Sequence, residues 1–133
     1  MIGLDTNVVV RALVADDDET QTAAVKALFD TLTPTQPGWI SCVVLAETFW
    51  VLRSAYEHPL DDIVRALNTL VRAENLVVEQ RDVVVAALTE ASRGADFVDA
   101  LIARGGRRAG ARATMTFDAH AARSLEDMQL LTS

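Results

Sequence analysis

Four short apolar runs alternate with stretches of helical periodicity, and that alternation constrains the chain more than any other feature. The runs are Met1 to Leu4, Trp39 to Cys42, Leu76 to Val78 and Ala113 to Thr116. Each is too short for a buried helix and is bounded by polar, Pro or Gly residues, which is the pattern of a buried strand. Strand, helix, strand in succession predicts parallel strands joined by helical crossovers. The expected class is therefore α/β, a parallel sheet flanked by helices.

The helical stretches have readable ends. Thr6 to Leu13 follows Asp5 directly. Asp16-Asp17-Asp18-Glu19 opens the next helix, with acids where the N-terminal dipole favours them; Ala23, Ala24, Ala27 and Leu28 fall at helical spacing. Thr33 to Gly38 is a loop by its Pro and Gly content. Val43 to Tyr56 reads as a helix with Val44, Thr48, Val51 and Ala55 on one stripe, broken by His58-Pro59. Asp61-Asp62 starts a helix through Arg72, and another runs from near Asp82 to Arg93 before Gly94. Phe97 to Arg108 is helical up to Gly110, with Gly105-Gly106 weakening its last turn, and a short helix follows Asp118.

No composition shift or repeat divides the 133 residues, so residues 1–133 are expected to form a single domain. Half the residues are hydrophobic (50%), which argues against disorder. No apolar run reaches membrane-spanning length, and Met1 to Asp5 lacks the basic and apolar regions of a signal peptide. One cysteine, Cys42, permits no internal disulfide and is expected to fill core space. The expected location is the cytoplasm. Twelve Lys+Arg against nineteen Asp+Glu give a formal charge of -7, which excludes nonspecific binding to nucleic acid through a broadly basic face.

The acids that fall near strand ends carry the chemistry. Ligands of open α/β sheets bind beyond the carboxyl ends of the strands. Asp5 follows the first run, Glu47 lies in the helix after the second, Asp96 and Asp99 open the helix after Gly94, and Asp118 follows the fourth run. Carboxylates gathered in one cleft repel, and a divalent cation resolves the conflict; all-oxygen ligation suits Mg²⁺ or Mn²⁺. His58, His120 and Cys42 show no zinc-ligand spacing. Each acid also has a structural reading. Asp5, Asp96 and Asp118 are placed to cap helices, and Asp96 with Asp99 resembles an acidic capping box. Glu47 sits in a mostly apolar helix and needs a partner, a metal or solvent.

Thr6, Asn7 and Thr116 neighbour these acids and could orient them, or Thr6 and Asn7 are ordinary first-turn residues. Arg104, Arg107, Arg108 and Arg112 lie within nine residues and form either an RNA-binding edge or a solvated helix end. Trp39, Phe49, Trp50 and Phe97 read as core or interface rather than as base-stacking platforms, and His120 as a surface residue.

Four segments in order make the chain similar to the PIN-domain family, specifically to VapC-type toxins of bacterial toxin–antitoxin pairs. They are Ile2-Gly3-Leu4-Asp5-Thr6-Asn7, Val44-Leu45-Ala46-Glu47 with Trp50-Val51-Leu52, Asp96 through Ala103, and Thr114-Met115-Thr116-Phe117-Asp118. The resemblance implies a PIN-like α/β fold with a central parallel sheet of four to five short strands flanked by helices. It implies a Mg²⁺- or Mn²⁺-dependent endoribonuclease, a cognate antitoxin that covers the site, and a homodimer. By resemblance Asp5, Glu47, Asp99 and Asp118 match the family's acidic quartet, Asp96 an additional acid present in part of it, and Thr116 a supporting hydroxyl. Two other readings stand beside this one. One is a non-catalytic PIN-like module that only binds a partner. The other is a different Mg²⁺-dependent phosphoryl-transfer enzyme, which Asn7 in place of a second Asp and the solitary Lys26 oppose.

Overall fold

The structure, a computed structural model, describes residues 1–14 and 18–132. Asp16 and Asp17, read above as opening a helix, lie outside the described residues. The chain divides into two compact units, Met1–Glu79 and Gln80–Ser133.

The first unit contains β1 (Ile2–Gly3), α1 (Thr6–Leu13), α2 (Glu19–Thr31), β2 (Gly38–Ile40), α3 (Cys42–Ser54), α4 (Leu60–Arg72) and β3 (Leu76–Val78). Its strands form a parallel sheet in the order β1-β2-β3, with Gly3 beside Trp39 and Trp39 beside Val77. Leu4, Ile40 and Val78 are buried, together with Val9, Leu45, Leu52, Ile63 and Leu67 from the helices. Gly38 packs tightly against leucine side chains in the central strand. A Cβ there would stand 2.9 Å from Leu4 and 3.0 Å from Leu76, closer than packed carbons approach.

The second unit contains α5 (Arg81–Ser92), α6 (Phe97–Arg108), β4 (Thr114–Thr116), α7 (Ala119–Ser124) and β5 (Met128–Leu130). β4 and β5 pair in parallel. Val84, Leu88, Phe97, Ala100 and Ala103 are buried along α5 and α6. The Gly105-Gly106 pair does not end α6. A Cβ on Gly106 would lie 2.8 Å from the Thr114 hydroxyl, so this glycine lets the helix pass close over β4.

The fold class is the expected one: α/β, with parallel strands flanked by helices. The strands are hydrogen-bonded as one three-stranded and one two-stranded sheet. Three local expectations change. β2 ends at Ile40, because the Ser41 hydroxyl accepts from Val44 N–H at 3.1 Å and caps α3. α3 buries Leu45, Thr48, Phe49 and Leu52, a stripe turned from the expected one, because an almost wholly apolar helix does not announce its inner face. In α2 the alanines Ala23, Ala24 and Ala27 face solvent, and Val25, Leu28 and Phe29 are half-buried.

Candidate functional site

In the first unit the two expected acids lie at the start of α1 and on α3. Asp5 is the N-cap of α1; its Oδ1 accepts the Thr6 N–H at 2.7 Å. Thr6 is buried, and its hydroxyl donates to Glu47 Oε1 at 3.0 Å. One residue therefore links both carboxylates, its backbone to Asp5 and its side chain to Glu47. Glu47 itself is exposed on α3, so solvent and the Thr6 hydroxyl satisfy it. Asn7 does not join this group. It lines a shallow groove against α2 with Gln21 and Val25.

In the second unit Asp96 and Asp118 both act on Asp99. Asp96 caps α6, its Oδ1 accepting the Asp99 N–H at 2.9 Å. Asp118 caps α7, its Oδ1 accepting the Ala121 N–H at 3.0 Å. The Asp118 N–H in turn donates to Thr116 Oγ1 at 3.0 Å, which fixes the turn after β4. Asp99 is raised above the ordinary carboxylate range, first by partial burial, then by the charges of Asp96 and Asp118; His120 partly offsets this. The capping reading is thus realised for Asp5, Asp96 and Asp118. In each of these caps one carboxylate oxygen is engaged, so capping orients the group without exhausting it. Among the described residues no three His, Cys, Asp or Glu side chains come close enough to hold a single metal ion.

The arginines of α6 face acids of their own unit. Arg104 meets Glu90 at 2.5 Å and Asp127 at 4.0 Å, Arg107 meets Asp127 at 3.1 Å, and Arg108 pairs with Asp82. Arg112 makes no ion pair among the described residues and is exposed.

One residue escaped the sequence reading. Glu79 follows β3 as Asp5 follows β1, so the same rule would have found it. Its Oε1 accepts the Cys42 N–H at 2.8 Å, at the N-terminus of α3. The Cys42 thiol donates to the Glu79 carbonyl at 3.3 Å, and burial with the Glu79 charge pushes it up to about 11. Trp50, read as core or interface, is 65% exposed and so lies outside the core, one helical turn beyond Glu47; Phe49 and Phe97 are buried as expected.

A family model for the PIN domain matches residues 2–124. No curated protein matches the chain. Among solved structures it is similar to the crystal structure of Mycobacterium tuberculosis VapC20, described as a sarcin-ricin loop cleaving toxin. The identity is 22% and the TM-score 0.47, over 93% of this chain and 95% of that one.

Proposed function

Because the chain belongs to the PIN-domain family, we propose that it is a metal-dependent endoribonuclease, the toxin of a toxin–antitoxin pair. The observation that carries the reading is the PIN-domain match over residues 2–124, with the electrostatics of Asp99 beside it. Asp96 and Asp118, from sequence stretches on either side of the arginine-rich segment, both raise its carboxyl. A cation bound beside Asp99 would relieve that repulsion.

The donor chemistry fits a hard divalent ion. The candidate ligands are the carboxylates of Asp5 and Glu47 in the first unit and of Asp99 and Asp118 in the second, with Asp96 as an accessory there, and all offer oxygen. This favours Mg²⁺ or Mn²⁺. Such an ion, when bound, lowers the pKa of a water and offsets charge on the attacked phosphate.

The chain's own residues do the rest. Thr6 holds Glu47 and Asp5 in fixed orientation through its hydroxyl and its N–H. Thr116 holds the backbone of Asp118. Asp99 or Asp118 accepts the proton of the attacking water. Of the four arginines, Arg112 is the one available to a phosphate without first breaking an ion pair within the described residues. A cognate antitoxin, a homodimeric assembly and action in the cytoplasm belong to the same reading. Among the described residues no helix is long and apolar enough to cross a membrane.

Asp5→Asn tests the proposal. Asn caps a helix as well as Asp does, so the fold is retained. RNA cleavage is expected to drop at least about a hundredfold in kcat/KM. Full activity in the variant refutes the assignment, and metal titration that detects no binding at millimolar concentration favours a module that only binds a partner.

A further inference from the structure

Each unit places an exposed aromatic ring beside its candidate acids. On α3 the exposed side chains Val43, Glu47 and Trp50 follow one another at spacings of four and three, so they share a stripe. Val43 is 68% exposed and Trp50 65%. After β4, Phe117 is 81% exposed and sits between Thr116 and Asp118. Its backbone is pinned on both sides. The Thr116 carbonyl accepts the Leu131 N–H at 2.7 Å, and the Asp118 N–H donates to the Thr116 hydroxyl. Neither ring is held out by chance mobility of its own segment, since one stands on a regular helix and the other on a bonded turn.

Charge poses the question these rings answer. The chain carries a formal charge of -7, and Arg104, Arg107 and Arg108 already face Glu90, Asp127 and Asp82. Affinity for a polyanion by phosphate neutralisation is therefore weak, and another source is needed. Stacking supplies one that does not depend on net charge, because every base has a π face.

We propose that Trp50 in the first unit and Phe117 in the second are each a stacking platform for an unpaired RNA base. This rests on the nuclease reading above and adds its substrate contacts. A stacked base covers a ring while its polar edges and the adjacent carboxylate stay hydrated. A second copy of this chain laid over the same stripe would bury Glu47 with Trp50, or Asp118 with Phe117, and would have to supply a matched cation for each. The favoured substrate is single-stranded or loop RNA, whose bases can leave their own stack.

The test uses the full chain carrying Asp5→Asn, so that RNA is bound without being consumed. The probe is a short mixed-sequence single-stranded RNA containing 2-aminopurine. Binding is expected to quench the probe. Adding Trp50→Ala or Phe117→Ala should weaken binding by about tenfold and reduce the quench, and Trp50→Phe should restore most of both. Salt should change the affinity only slightly, and the same sequence in a duplex should bind without dependence on either ring. In the chain with Asp5 restored, both alanine variants should raise KM more than they lower kcat.

Unchanged RNA affinity in Trp50→Ala and Phe117→Ala, with the parent still binding and cleaving, overturns the stacking proposal alone. A parent that neither binds nor cleaves RNA overturns the nuclease reading as well. A change in sedimentation from dimer to monomer in Trp50→Ala, at unchanged RNA affinity, assigns the stripe to a second copy and also overturns the proposal.

Discussion

The Thr6 hydroxyl donates to Glu47 Oε1 at 3.0 Å, across 41 residues of sequence. It joins the start of α1 to the middle of α3, and the Thr6 N–H binds the neighbouring Asp5. Thr6 is buried, so its hydroxyl has no water to turn to when Glu47 is removed. Thr6→Val should cost about 1 kcal/mol in urea unfolding. Because it also frees the Glu47 carboxylate, cleavage should fall by about tenfold, and Thr6→Ser should recover most of both. Equal activity in Thr6→Val and the parent would show that the bond serves only the packing of α1 on α3.

Asp96 separates capping from chemistry. Its Oδ1 holds the Asp99 N–H, a bond that an alanine cannot make. Asp96→Ala should lose about 1 kcal/mol of stability, and Asp96→Ser should regain it. Activity should follow the same order, with the serine variant within a few fold of the parent. A serine variant that is fully stable but inactive would move Asp96 from accessory to essential ligand.

Asp99 gives a pH dependence with a definite sign. Its carboxyl is raised in the folded state, so the folded chain keeps a proton at pH values where the unfolded chain has released it. Stability then falls as pH rises from the ordinary carboxylate pKa through the folded one, and the deficit is complete above the latter. Asp99→Asn removes that deficit. It should melt at or above the parent temperature at neutral pH, and the difference should vanish on acidification. Adding Mg²⁺ should raise the melting temperature of the parent and leave that of Asp99→Asn nearly unchanged, with EDTA reversing the gain. A variant less stable than the parent at neutral pH would contradict the repulsion.

Much of this was legible in the sequence, for identifiable reasons. α1, β3 and α6 lie where their apolar runs and flanking acids placed them, because each has a sharp local boundary. The acids near strand ends were legible because capping and strand termination are local events. β5 was not. Met128-Gln129-Leu130 is too short to stand out, and its strand character comes from pairing with β4. The exposed face of α3 was not legible either. Val43 and Trp50 are as apolar as Leu45 and Phe49, and only tertiary packing decides which pair is buried. The pairing of the α6 arginines was also beyond local reading, since their partners lie 14 to 26 residues away.

Cys42 should behave as an unreactive thiol. Its pKa is pushed up to about 11 by burial and by Glu79, so little thiolate exists at pH 8. Iodoacetamide should modify it far more slowly than a free cysteine, with a rate that climbs toward pH 11. Glu79→Gln removes the repelling charge and should shift that climb to lower pH. The folded thiol ionises later than the unfolded one, so this group costs stability as pH rises above 9, the ordinary thiol value. Rapid modification at pH 8 would show that the thiol is not held by the Glu79 carbonyl.

The arginines of α6 should separate by burial. Arg104 is 33% exposed, and its partners Glu90 and Asp127 are 20% and 14% exposed. Arg104→Met leaves the shielded Glu90 carboxylate without its cation, while Asp127 keeps Arg107, and should cost at least about 1 kcal/mol. Arg108 and Asp82 are both more than half exposed, so Arg108→Ala should cost less than about 1 kcal/mol. Arg112 makes no ion pair among the described residues, and Arg112→Ala should leave stability within about 0.5 kcal/mol of the parent. RNA affinity should show the opposite order, weakened most by Arg112→Ala. Denaturant midpoints and RNA titrations on the three variants decide it. An Arg112→Ala variant with unchanged affinity, beside an Arg108→Ala variant that binds poorly, would mean that RNA displaces Asp82 from Arg108.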